Sequence, residues 1–195
     1  MKLMRLITAI LLSLIIHGCA TFSSELQNEG NLNITNINLI NGRYEILPIK
    51  VDTTNRRFNS AKLNDNLIQE LERNPFSPLY IKYDEDSTKY IVELKIINSK
   101  DMEVRFYNND KVFDSKIIKY KLKEDGFLYL KNDNTKLWGT PYLFGAIDIN
   151  KMRISIDKES NLVLDVANFR GGAILLIAFL DGGRTNYRKI IRKSN

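Results

Sequence analysis

The chain has 195 residues and a formal net charge of +6, with a single histidine and a single cysteine. These are His17 and Cys19, so the sequence after position 19 has neither an imidazole nor a thiol. That excludes Ser-His-Asp and Cys-His nucleophilic catalysis, and His- or Cys-ligated zinc and haem, from the remaining chain.

Met1-Lys2-Leu3-Met4-Arg5 is a short basic opening, and Leu6 to Ile16 is an apolar run broken only by Thr8 and Ser13. A helix needs ~20 apolar residues to cross a bilayer, and this run is far shorter. Residues 1–18 therefore read as a signal peptide. The segment Ile16-His17-Gly18-Cys19 resembles the lipobox of bacterial lipoproteins, with an aliphatic residue at −3, a small one at −1 and the cysteine. The resemblance implies diacylglycerol on the Cys19 sulfur, cleavage before it and acylation, for instance by palmitate, of the new amino terminus. Two or three acyl chains make a stable anchor where one does not. Ala20, standing where the resemblance would put Asp for inner-membrane retention, implies the outer membrane. A lone cysteine cannot close an internal disulfide, which agrees with lipidation.

Thr21 to Asn31 is polar, so residues 19–31 read as the lipidated cysteine and a flexible tether, and residues 32–195 as a single antiparallel β domain. Without residues 1–18 the chain holds 27 Lys+Arg against 23 Asp+Glu. Five of the bases, Arg184, Arg188, Lys189, Arg192 and Lys193, follow the last acid, Asp181, and without them the body carries −1. The basicity is local. It suits anionic headgroups or an envelope protein, and nucleic acid is not expected of an exported chain.

Arg43 to Val51 is the first strand, entered through Asn41-Gly42, and Pro48 places it at an edge or a bulge. Leu63, Leu67, Ile68 and Leu71 then share one helical face, capped from Asn59 or Ser60 and stopped by Asn74-Pro75. Strands follow at Tyr90 to Asn98, Met102 to Tyr107, Val112 to Leu122, Phe127 to Leu130, Ile147 to Ile156 and Leu162 to Phe169. Gly171-Gly172 introduces a strand from Ala173 to Leu180, apolar on both faces and expected to be covered by the early helix. Asp181-Gly182-Gly183 then turns the chain into Thr185 to Ile191. Eight or nine short strands without βα alternation predict an antiparallel barrel with one early helix; a two-sheet sandwich is the alternative.

Asp84-Glu85-Asp86 lacks the spacing and central glycine of a calcium loop and reads as a solvated turn. Glu93, Glu103, Asp148 and Asp165 lie in or beside strands, and two carboxylates facing each other could hydrolyse a glycoside, but nothing in the sequence pairs them. No enzyme activity, metal or cofactor is expected. Phe127, Tyr129, Trp138, Tyr142 and Phe144 cluster around Leu137-Trp138-Gly139-Thr140-Pro141 and could line a cavity.

Asn41-Gly42-Arg43-Tyr44 resembles the Gly-x-Trp that opens the first lipocalin strand, with Tyr44 in place of tryptophan, and Arg184 and Arg188 near the last strand are a second echo. The plan looks like that of lipocalin-like lipoproteins. The resemblance implies a cup-shaped barrel holding a small apolar ligand or an envelope component, with Tyr44, Trp138 and Tyr142 lining or closing the cavity. A structural or interaction lipoprotein within an envelope complex is the alternative.

Overall fold

A computed structural model describes residues 20–56, 64–72, 89–132, 134–140, 144–174 and 178–194. They form nine antiparallel strands in one sheet. These are β1 (Gly42–Arg56), β2 (Tyr90–Ile96), β3 (Asp101–Asn108), β4 (Lys111–Leu122), β5 (Leu128–Lys131), β6 (Thr135–Thr140), β7 (Phe144–Ile156), β8 (Leu162–Ile174) and β9 (Ala178–Lys193). The order β5-β4-β3-β2-β1-β9-β8-β7-β6 closes into a ring through a β5–β7 pairing. β5 pairs with β7 at 152–154 and β6 pairs with it at 144–149, so β5 and β6 act as two halves of one broken stave. Closure joins the two ends of the sheet, while β1 beyond Glu45 and β4 before Lys119 have no strand partner on one side among the described residues.

The period-2 alternation sets which residues face the lumen. Leu162, Leu164 and Val166 of β8 meet Met152, Ile154 and Ile156 of β7, Val104 and Phe106 of β3 and Ile118 of β4 in one core. A 3-10 turn, Ile37–Ile40, covers one end of the ring and buries Ile40 in that core. Pro48 sits between two register shifts in β1, and pairing with β2 is recorded only from Gly42 to Glu45, so the proline has both a bulge and an open side.

The segment expected to be one strand from Ala173 to Leu180 is instead split between two. β8 runs on to Ile174 and β9 begins at Ala178, with Ile174 opposite Ala178. The glycine pairs do not mark turns: Gly171 follows a register shift inside β8, and Gly183 lies inside β9 at φ 110, a conformation glycine tolerates. The aromatic stretch around Trp138, with no strand expected of it, supplies β6.

The short helix α1, Leu67–Leu71, is capped by Asn66, whose side chain accepts from the Gln69 amide. The expected caps at Asn59 and Ser60, and the stop at Asn74-Pro75, lie outside the described residues. The helix does not cover the sheet from outside. Leu67, Ile68 and Leu71 join the lumenal core, and Glu70 reaches Tyr187 and Lys189 on β9. At its other end the Leu71 carbonyl accepts from Lys116 Nζ of β4 and from Asn132 Nδ2. α1 therefore lies across the inside of the ring. Its short length makes it unstable alone, and tertiary packing holds it.

Residues 20–31, expected to be part of a flexible tether, are laid against the barrel wall. Leu26 and Leu32 are buried, and Gly30 approaches so closely that a Cβ there would sit 2.2 Å from the Ile156 carbonyl oxygen. Among the described residues, no helix is long and apolar enough to cross a membrane.

Candidate functional site

Two buried charged clusters flank the wall between β7, β8 and β9, one on each side. On the outer side, Asp165 is fully buried. Arg188 grips it with two parallel bonds, Nε to Oδ1 at 2.7 Å and Nη2 to Oδ2 at 3.0 Å. Arg153 adds Nε to Oδ2 at 2.9 Å. One further nitrogen of each guanidinium reaches the N-terminal strap, while Arg153 Nη1 donates to the Tyr129 hydroxyl and to Asp125. Arg153 Nη2 donates to the Leu26 carbonyl at 3.1 Å, and Arg188 Nη1 donates to that of Gln27 at 2.8 Å. Arg153 also lies 3.9 Å from the Phe127 ring centre and 4.6 Å from that of Phe22. A bidentate arginine–carboxylate pair is geometrically specific, and one carboxylate shared by two arginines fixes both. The cluster therefore seats the strap. Asn28 adds bonds to Ser155 and to the Asp125 carbonyl, and Lys151 reaches the Ala20 carbonyl.

On the lumenal side, Lys189 Nζ meets Glu70 Oε1 at 2.5 Å and the Asn64 carbonyl at 2.6 Å. Tyr187 donates its hydroxyl to the same Glu70 oxygen at 2.8 Å, and Asn64 Nδ2 donates to the other. This network ties α1 to β9. Next along the wall, Asn150, Asn168 and Thr185 fall opposite one another, and Asp148 accepts from Asn168 and pairs with Arg170. Asn66 Nδ2 and Asn150 Oδ1 are buried without a hydrogen-bond partner among the described residues. The described lumen is thus apolar and filled at the end closed by Ile37–Ile40, crossed by α1 and polar beyond it. An apolar molecule in that polar layer would leave amides unpaired, at ~1–3 kcal/mol each.

Of the residues expected to line a cavity, Tyr44 and Trp138 are not brought together. Tyr44 is fully buried in the closed end, and its hydroxyl donates to the Ile40 carbonyl. Burial raises its pKa. Tyr44 pairs with Lys193 of β9, whereas Trp138 sits on a rung with Ala146, Gly172 and Leu180. Those two points on β9 are on the order of 40 Å apart along the strand. Tyr142 and Cys19 lie outside the described residues. A half-open cleft of about 1010 Å³ at the closed end carries Lys100, Lys119, Lys121 and Lys131 beside Ile37 and Leu122, which makes it amphipathic and basic.

The five C-terminal bases do not form one patch either, because β9 alternates them between faces. Lys189 points inward and Arg188 is committed to Asp165. Arg184 stacks on Phe169, Arg192 is exposed near Glu45, and Lys193 reaches the Leu39 carbonyl. The four strand acids are likewise engaged: Glu93 and Glu103 with Arg105, Asp148 with Arg170, and Asp165 as above. Among the described residues no group of three metal-ligating side chains occurs, and Asp84-Glu85-Asp86 lies outside them. Sequence reading missed Glu70 as the partner of Lys189; the period-2 relation of Lys189 to Tyr187 and Ile191 was the available sign that it faces inward. The chain matches no protein-family model, no curated protein and no solved structure.

Proposed function

We propose that the protein is a lipid-anchored lipoprotein of the cell envelope, held to the outer membrane through Cys19, and that it acts as a structural or interaction module through its outer surface. The observation that carries this reading is the helix inside the ring. α1 crosses the lumen and is fixed there by the Lys189–Glu70 pair, with packed apolar side chains on one side and an amide layer on the other. A binding barrel of the lipocalin kind needs an open apolar cup, and α1 occupies that space among the described residues. The surface then remains for contacts with envelope proteins or anionic headgroups, with Arg192 as an exposed base.

In-cell cross-linking of the full chain, followed by identification of partners, tests this. A reproducible envelope partner, whose capture falls when exposed surface residues are changed and the fold is kept, is expected. Native mass spectrometry of protein purified gently from its own membrane is the counter-test. A reproducible small-molecule mass, lost on organic extraction, would move the function to ligand carriage in the lumen.

A further inference from the structure

The paired ends of β6 with β7 and of β8 with β9 form a charge-free extension, and we propose that this extension dips into the bilayer that carries the anchor. The proposal rests on the anchored reading above and adds a second membrane contact to it. From Leu137 to Ile147, and again from Gly171 to Leu180, the sequence has no Asp, Glu, Lys or Arg. The register sets these stretches side by side: Trp138 opposite Ala146, Ala146 opposite Gly172, and Gly172 opposite Leu180. The flanking charges fall at one level, with Lys136 opposite Asp148, Asp148 opposite Arg170, and Asp181 opposite the neighbouring Gly171. Beyond that level the described strands run on to the rung of Thr140, Phe144, Ile174 and Ala178.

Four residues of strand rise roughly 13 Å, enough to enter one leaflet of a ~30 Å hydrocarbon core but not to cross it. Leu137 is 73% exposed, so lipid around it would remove a large aliphatic side chain from water. The strap provides an independent direction. Followed backward, it passes Ile156 at Gly30, Ser155 at Asn28, Arg153 at Leu26 and Lys151 at Ala20. It therefore climbs β7 toward the rungs of Asp148 and Phe144, so its first described residue, Ala20, lies on the side of the charge-free extension. Lipid joined one residue before Ala20 and apolar strand ends at that end of the barrel would address one membrane surface.

Trp138, the only tryptophan, lies in this extension and is a native probe. The full chain is reconstituted in phosphatidylethanolamine–phosphatidylglycerol vesicles containing brominated phospholipid. Fluorescence is read for the native chain, for Leu137→Trp with Trp138→Phe, and for Ile97→Trp with Trp138→Phe as a control at the other end of the ring. Intact mass reports lipid on Cys19 in the same samples. Bromolipid quenching at 137 at least about twofold above that at 97 is expected. Lipid on Cys19 with equal quenching at 137 and 97 overturns the extension and leaves the anchor standing; protection of 137 from iodide in that case assigns the surface to contact between copies of this chain. Strong quenching at 137 without lipid on Cys19 keeps the extension and removes the anchor. Neither lipid nor flotation with vesicles removes both.

Discussion

Lys189→Met tests whether α1 is locked in the lumen. The substitution keeps most of the side-chain length but removes an ammonium that is almost wholly buried between Glu70 Oε1 at 2.5 Å and the Asn64 carbonyl at 2.6 Å. Removing one member of a buried pair leaves the other charged and uncompensated, at a cost of about 3–5 kcal/mol. Glu70 keeps its bonds from Tyr187 and Asn64, which places the expected loss near the lower end of that range. For a domain of this size 1 kcal/mol moves Tm by ~2–4 °C, so thermal unfolding followed by circular dichroism should show a drop of roughly 6–12 °C. Adding Glu70→Gln removes the stranded charge while Tyr187 still has an amide oxygen to meet. The double variant should recover at least about half of the loss, because uncharged replacements of buried pairs are well tolerated. A single variant within ~1 kcal/mol of the native chain, or a double variant no more stable than the single, would refute the buried-pair account.

The outer cluster gives a parallel expectation. Asp165→Asn leaves two buried guanidiniums without their shared carboxylate and should cost about 3–5 kcal/mol, read by urea unfolding; a loss below ~1 kcal/mol would count against it. Gly30→Ala places a Cβ 2.2 Å from a backbone oxygen that cannot move cheaply. Limited proteolysis should then cut within 20–31 at least about fivefold faster while the barrel core stays protected, and unchanged cleavage would mean that the strap is not seated as described. Burial raises the pKa of Tyr44, Tyr120 and Tyr129. Their contribution is fully present below the unfolded tyrosine value of ~10 and is lost as pH rises above it. The urea midpoint should therefore fall from pH 9 to 11, and fall less steeply in Tyr44→Phe, which also gives up ~1 kcal/mol of hydrogen bonding at neutral pH. Identical slopes in the two proteins would exclude Tyr44 as a source.

The antiparallel β class, most strand positions and the presence of one early helix are legible in the residues alone. Alternation such as Leu162, Leu164 and Val166 against Val163, Asp165 and Ala167 is a local property of the pleat, and it fixes which side chains share a face. The C-terminal bases misled because their closeness in sequence suggested one basic surface for headgroups or a partner, while the pleat places Lys189 on the lumenal face with Tyr187 and Ile191. The pairing of distant side chains came from the folded ring. Glu70 lies 119 positions before Lys189, and the carbonyl that Arg153 holds lies 127 positions before it. No periodicity encodes contacts of that range. The same holds for α1: its apolar face announces burial but not whether the burying surface is the outside of a sheet or the inside of a ring. Ring closure through β5 and β7 made the inside available, and the Lys189–Glu70 pair fixed the helix there.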